Sequence, residues 1–453
     1  MEEGTIGLEI HTYLNTSEKL FCRCAAKREK GLTANSYICE ICTGQPGAKP
    51  MAPNRSAVEK AVKIGLMLGC KINSKMAWQR KHYSWPDLPK GYQNTLSGPY
   101  AVPVGSGGKF FGIGIWEMHL EEDPAAWDPE SGRVDYNRSG LPLVEIVTAP
   151  DFSTAEEVGD WLRKLLHHLS YLKVVEKDAG IKVDVNVNIP GKSERVELKN
   201  VNSVENIVKA IEFELGRQGV EGGREKETRR WDAIKGKSVV MRQKEGAADY
   251  RFIDDPDLQD IVLNASFVNE LRTRLPETPE VKLEKLVKKH KIGKKHAEVL
   301  AKNLDVVEFF EDLIRMGVDA GFALPWVSGE LLRHLKYNKT TLDQIEISAE
   351  HFADLLGLVK SGKITETQGK KILDKFYPKS FSVKDMKVGG KISDSGELEK
   401  VVKEVIASEG EAVEKYRSGD KKVLNYLIGK VMGKTKGRAD FRVVREIFEK
   451  LLM

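Results

Sequence analysis

Hydrophobic and polar residues alternate along the first half of the chain and recur at helical spacing along the second. Ile6-Gly7-Leu8-Glu9-Ile10-His11 has period two, which predicts a strand with Glu9 and His11 on one face. Residues 99–123 predict two strands joined by a hairpin turn at Gly105-Ser106-Gly107-Gly108-Lys109. The second carries Glu117, His119 and Glu121 on one face and Trp116, Met118 and Leu120 on the other. Residues 141–147 predict a further strand bearing Glu145. The cleanest alternation is 182–189, with valines on one side and Lys182, Asp184, Asn186 and Asn188 on the other; 195–199 repeats it with Glu197 and Lys199. Helices are predicted between these runs. One opens at 53–56, uses Val58, Ala61, Val62, Ile64, Gly65 and Met67 as its apolar face and stops near Gly69. Another runs from Ser153 or Thr154 to about Leu172, with Glu156 and Glu157 placed for a capping box, and a third covers 203–218. Strands, hairpins and helices in this order predict an α+β domain with helices on one face of a largely antiparallel sheet.

Near Glu277 the period changes. Pro276 and Pro279 mark a boundary, and from Val281 on the spacing is helical. Helices are expected at 305–317, 327–336, 348–361, 366–376, 396–408, 410–417, 420–433 and 440–452, punctuated by Gly362 and by Gly389-Gly390. Lysines at 282, 285, 288, 289, 291, 294 and 295 make a basic stretch at the start of this half. Residues 80–93 resist either pattern: their prolines and glycine rule out a helix or a central strand, and their aromatics and cations suit a functional loop.

The chain has 453 residues, too many for one core, so two or three domains are expected. A net charge of +5 is too mild to identify a nucleic-acid binder by itself. The acidic, strand-like N-terminus shows no secretory pattern, and no apolar run is long enough for a membrane span, so a cytoplasmic protein is expected. Four of the five cysteines lie in two tight pairs, which suits a reduced compartment and a metal better than disulfides.

Those pairs are Cys22-x-Cys24 and Cys39-x-x-Cys42. Four thiolates in one short segment can hold Zn²⁺ in a closed, structural site; the alternative is four unrelated buried thiols. Arg23, Lys27, Arg28 and Lys30 place positive charge in the intervening loop, suited to a phosphate backbone or simply to solvent. The strands pose a second question. Glu9, His11, Glu117, His119, Glu121, Glu145, Asp184 and Glu197 all occupy polar positions at period two. They are either the wet face of an ordinary sheet or, since carboxylates are disfavoured in strands and repel across them, a face held together by hard cations that bridge to phosphates. The glycine run at 105–109 lacks the Ser or Thr of a phosphate-binding loop, and no nucleophile elbow is present.

Several long motifs resemble one family. GLEIH, the cysteine pairs ending in CTGQPG, RKHYSWPDLPKGYQ, HLEED, VDYNRSGLPLVEI, DVNVNI, RVELKNVNS and MRQKEGAADYRFIDDPDL are similar to those of the B subunits of tRNA-dependent amidotransferases, the GatB/GatE family. LIGKVMGKTKGRAD at 427–440 is similar to that family's YqeY-like end. The resemblance implies a glutamine-synthetase-like cradle over 1–275 with a zinc knuckle at 22–42, an all-α helical domain over 276–395 and a YqeY-like tail over 396–453. It implies ATP- and Mg²⁺-dependent phosphorylation of the side-chain carboxylate of misacylated Glu-tRNA(Gln) or Asp-tRNA(Asn), followed by amidation. The ammonia would come from a GatA-like glutaminase held with a GatC-like small subunit. Carried onto this sequence, it implies Glu9, His11 and Glu121 as Mg²⁺ or nucleotide ligands, with Glu145, Asp184 and Glu197 beside them. It further implies Lys90, Arg138 and Lys199 as cations for phosphates, and Cys22, Cys24, Cys39 and Cys42 as zinc ligands. The competing class is a non-catalytic RNA-binding zinc protein that uses the knuckle and the lysine-rich helices.

Overall fold

The structure, a computed structural model, describes residues 3–29, 31–176, 180–223, 225–243, 250–384, 391–392 and 394–452. Lys30, residues 244–249 of the 241–258 motif and the Gly389-Gly390 turn lie outside the described residues. The chain forms two units, Met1–Thr278 and Pro279–Met453.

The first unit contains, in order, β1 (Thr5–Tyr13), α1 (Arg55–Met67), β2 (Lys71–Ile72), β3 (Lys75–Met76), β4 (Gln79–His82), β5 (Gln93–Thr95), β6 (Gly105–Phe110) and β7 (Ile113–Glu122). It continues through β8 (Ala126–Trp127), β9 (Val134–Asp135), β10 (Pro142–Thr148), α2 (Ala155–Leu172), β11 (Lys182–Asn188), β12 (Val196–Asn202) and α3 (Val204–Glu221). It ends with β13 (Glu227–Asp232), β14 (Lys237–Gln243), β15 (Arg251–Asp254), β16 (Ile261–Val262) and α4 (Ala265–Thr273). Twelve strands make one sheet in the order β14-β13-β12-β11-β1-β10-β7-β5-β4-β15, with β6 beside β7 and β2 beside β6. Its pairings are antiparallel except for β12 with β13.

One face of this sheet is dry. Ile6, Leu8 and Ile10 of β1, Met118 and Leu120 of β7, Val144 and Ile146 of β10, and Val183, Val185 and Val187 of β11 share a buried core with the apolar sides of α1, α2 and α3. Each such side chain contributes about 1.5–3 kcal/mol by leaving water. The helices start where side chains supply acceptors: Asn54 caps α1, Thr154 and Glu157 form a reciprocal box on α2, and Ser203 caps α3.

The second unit is helical throughout its described elements: α5 (Pro279–Lys288), α6 (Lys294–Leu300), α7 (Leu304–Arg315), α8 (Ala320–Pro325), α9 (Leu332–Tyr337), α10 (Ala349–Lys360), α11 (Glu366–Leu373), α12 (Ser395–Ser408), α13 (Gly410–Arg417), α14 (Val423–Lys434) and α15 (Phe441–Leu452). The helix expected at 327–336 begins earlier. Pro325 lacks an N–H, and immediately after it the chain widens into a π turn, Trp326–Leu331, before resuming as α9. The basic stretch is not uniformly solvated either: Lys282 is buried and its Nζ lies 2.6 Å from Glu311. Among the described residues no helix is long and apolar enough to cross a membrane.

Three expectations in the first unit need correcting. The glycine run at 105–109 is not the hairpin turn but most of β6; the turn is at Phe111 and Gly112. Glycine serves close packing there, because a Cβ on Gly108 would sit 2.6 Å from Cys70 Sγ and 2.7 Å from Leu68 O. Trp116 is not on the apolar face of β7. A register shift opposite Val147 and Thr148 puts Ile115 into the core and leaves Trp116 exposed. The 80–93 segment is a loop only in its middle, since its ends are strands β4 and β5.

The edge strand β14 and its neighbour β13 are tied to α3 by one buried carboxylate. Glu214 is fully buried, accepts from Gln218 Nε2 and Ser238 Oγ at 2.9 Å each, and pairs with Arg217 and Arg229. Glu214→Ala should lower stability by about 3–5 kcal/mol in urea unfolding, since it strands the partners of a buried pair. Gly108→Ala should cost about 1–3 kcal/mol by the same measurement, because a backbone carbonyl cannot move aside.

Candidate functional site

The face opposite the helices carries the acids. β1 lies between β10 and β11, so Glu9 has Val147 and Asp184 as Cα partners and His11 has Glu145 and Lys182. On β7, His119 faces Glu145 and Glu121 faces Leu143, while Thr95 of β5 is on the other side of Glu121. One row across four strands therefore reads Lys182, His11, Glu145, His119.

Two triads of ligating atoms result, each within 4.8 Å: His11 with Glu121 and Glu145, and Glu9 with Asp184 and Glu197. Of Glu9, His11 and Glu121, the geometry thus joins the last two to Glu145 and places Glu9 in the other group. His11 Nε2 lies 3.7 Å from Glu121 and 3.6 Å from Glu145. Burial and then the charge of Glu145 push the Glu121 carboxyl above its ordinary range. Burial also opposes ionisation of Glu145, but the hydrogen bond from His119, with His11 and Lys81 nearby, overcomes it and brings the group down to about 2. His119 is buried as well; its bonds to Glu117 (2.9 Å) and Glu145 (3.0 Å) outweigh that and raise it to about 9, so it donates from both ring nitrogens. A divalent cation fits this donor set: two adjacent carboxylates and one imidazole, with no lysine or arginine in ion-pair contact among the described residues and Lys81 only nearby.

The second triad already contains a cation. Lys199 Nζ is 2.5 Å from Glu197 and 3.3 Å from Asp184, and these partners raise it above its usual range despite burial. A bulge in β12 makes this possible, since the pairing skips from Val183–Val201 to Val185–Leu198 and turns Lys199 and the Asn200 amide onto Asp184. Glu9 accepts from Asn186 at 3.1 Å. Its carboxyl is pushed up by burial, then by Glu145, Asp184 and Glu197.

The other two cations expected from the sequence join neither triad. Lys90 bonds Asn94 at 2.8 Å and Glu122, which alternates to the opposite side of β7 from Glu121. Arg138 donates to the carbonyls of Pro124 and Ala125 and lies 3.3 Å from Asp123. Of the further residues at the site, Lys81, Tyr83 and Asn186 are given no role by the sequence, and His119 only a place among the polar positions of the face. Asn186 and His119 stand at period two beside chosen residues, so the alternation carries their signal. Lys81 and Tyr83 reach the site only because β4 and β5 bring the loop to the end of β7.

The four paired cysteines converge. Cys39 and Cys42 Sγ are 3.9 Å apart, near the separation of about 3.8 Å that a tetrahedron with 2.3 Å zinc–sulfur bonds requires. The Cys22 thiol, with the Cys39 amide and Lys19, draws Cys42 down to about 5 against burial. Lys19 is almost wholly buried with its Nζ 3.5 Å from Cys42 Sγ, a counter-charge for a thiolate cluster. The loop between the pairs is fastened to the 134–139 segment: Asn35 N to Asp135 (2.9 Å), Asn137 Nδ2 to Thr33 O (2.8 Å), and Ser139 Oγ to Cys42 O (2.7 Å).

Comparison with known proteins places these features. Residues 4–269 match the model of the GatB/GatE catalytic domain, and residues 308–452 match that of the GatB domain. The B subunit of the Methanocaldococcus jannaschii aspartyl/glutamyl-tRNA(Asn/Gln) amidotransferase is 41% identical over 98% of this chain and 97% of its own length. The proteins of the same name from Methanothermobacter thermautotrophicus and Methanopyrus kandleri are 40% and 39% identical, over 96% and 100% of this chain and 97% and 99% of theirs. The chain belongs to the GatB/GatE family, the B subunits of tRNA-dependent amidotransferases.

Proposed function

We propose that this chain activates the side-chain carboxylate of glutamate or aspartate on a misacylated tRNA at the acidic face of its sheet. The observation that carries the reading is the triad of His11, Glu121 and Glu145, which gathers two carboxylates and an imidazole with no lysine or arginine in ion-pair contact among the described residues. An oxygen of the substrate carboxylate attacks the γ-phosphorus of ATP and ADP departs, leaving an acyl phosphate. Ammonia then attacks the carbonyl carbon and phosphate leaves, giving the amide. Phosphoryl transfer asks a protein mainly for positioning and charge neutralisation. Bound Mg²⁺ would offset the charge on phosphate oxygens, with His11, Glu121 and Glu145 as the residues to hold it and Glu9 beside them. Its role here rests on the donor set. His119 holds Glu145 as an anion, and Asn186 and Lys199 orient Glu9, Asp184 and Glu197. A largely antiparallel sheet with helices on one face and acids on the other supports a glutamine-synthetase-like cradle as the floor of the site.

The same reading divides the chain into a cradle at 1–275, a helical domain at 276–395 and a YqeY-like tail at 396–453. The boundary after Thr278 supports it, as do separate buried clusters spanning 286–383 and 398–452. The relatives are named as one component of an aspartyl/glutamyl-tRNA amidotransferase, which supports partners: a GatA-like glutaminase that supplies ammonia and a GatC-like small subunit, assembled in the cytoplasm. The cysteine cluster takes zinc as a closed structural site.

Alanine at both Glu9 and His11 should lower ATP turnover by the assembled complex on the order of a hundredfold or more. Turnover unchanged by the double substitution would refute the catalytic assignment. The purified chain should carry about one zinc. Metal analysis of Cys24→Ser with Cys39→Ser should find it lost, and a wild-type chain without zinc sinks the knuckle.

A further inference from the structure

At one end of the acidic face the sign of the charge reverses. Asp123 is buried, its Oδ2 accepts the Tyr13 hydroxyl at 2.5 Å, and Arg138 Nε lies 3.3 Å from it. Arg138 is anchored by the carbonyls of Pro124 and Ala125. Arg28, from the loop between the cysteine pairs, places its guanidinium carbon 3.5 Å from the centroid of the Tyr13 ring. Lys182 of β11 stands directly across from His11 on the same face. Arg138, Arg28, Asp123 and Asp184 are all close enough to the Lys182 ammonium to act on it electrostatically. Among the described residues, no side-chain or backbone acceptor bonds the Arg28 guanidinium or the Lys182 ammonium.

Three cations thus gather near one carboxylate, Asp123, beside a face whose two triads are acidic. Arg138 and Lys182 are half-buried, where like charges are costly without a counter-ion, and Arg28 is exposed at the rim above them. Two of the cations are also preorganised: Arg138 by backbone carbonyls, Arg28 by stacking on a ring whose hydroxyl is bonded to Asp123. The segments that bear them are stapled together through Asn35, Asn137 and Ser139. Planar guanidinium groups with free donors match the oxygens of a phosphate group. Lys90 and Lys199 are each closed by a carboxylate of their own, whereas Arg28 and Lys182 have no ion-pair partner among the described residues.

We propose that Arg28, Arg138 and Lys182 form a phosphate subsite adjoining the acidic triad, with one wall supplied by the cysteine-bearing loop. This rests on reading the acidic face as the site of phosphoryl transfer. The phosphate belongs either to the nucleotide or to the backbone of the RNA 3′ end, and the two sources separate by experiment.

The test uses Arg28→Gln and Lys182→Gln in the assembled enzyme, with Lys209→Gln, an exposed lysine paired with Glu205 on α3, as the control for net charge. The KM for ATP and the Kd for tRNA are measured at two salt concentrations. Each subsite variant should weaken one of them about tenfold, as expected for a lost charged hydrogen bond. A nucleotide phosphate shows as a raised ATP KM. An RNA phosphate shows as a raised tRNA Kd with a salt slope shallower by about 0.7–0.9 per contact. Both constants within about twofold of wild type for both variants overturn the subsite, as does an equal change in Lys209→Gln. Should Lys182→Gln fail to fold by urea unfolding, Arg28→Gln on the exposed loop decides alone. Failure of the underlying reading appears separately, as ATP turnover that survives alanine at Glu9 and His11.

Discussion

A strand cannot set its two faces independently. Helices lie against Ile6, Leu8 and Ile10 of β1, so Glu9 and His11 must project to the other side, and a slip of one residue would drive both into the apolar core. The same rule acts on β10, β11, β12 and β7 in turn. It stacks Glu145, Asp184, Glu197, Glu121 and Glu117 on one surface at the spacing of neighbouring strands. Crowding of carboxylates on that surface follows directly from how the other surface is kept dry.

The protein relieves the crowding in two different ways. Around Glu9 it uses its own ammonium group, delivered by the bulge that turns Lys199 toward Asp184. Around Glu121 and Glu145 it uses imidazoles, and His119 is spent on Glu117 and Glu145. The first arrangement is closed and keeps its shape. The second leaves Glu121 raised and unsatisfied by any lysine or arginine pair among the described residues, which suits a place where a cation and phosphate oxygens come and go. The proposed chemistry thus falls on the less balanced of two similar clusters.

The cysteine loop adds a third constraint. Its position is fixed by thiol convergence over the buried Lys19 and by hydrogen bonds to the segment that carries Arg138. That segment leads straight into β10 and Glu145. A closed metal site at this point would order the cation-rich rim of the acidic face, and so couple its structural role to the chemistry beside it without taking part in it.

Period two and period 3.6 are enough to predict the central strands, the three helices packed on them and the change to helices near Pro279, because burial of one face writes itself into every second or every third to fourth residue. The wet-face acids are legible for the same reason, and the paired cysteines because metal ligation needs close spacing. Three kinds of feature are not. Bulges that expose Trp116 and aim Lys199 depend on pairing between strands far apart in sequence. Gly105 to Lys109 read as a turn because glycine signals both a turn and a close approach, and only the neighbouring Cys70 and Leu68 tell them apart. The division of the acids into two triads, and the approach of Arg28, Arg138 and Lys182, arise from cross-strand register and loop docking, which no local pattern along one chain contains.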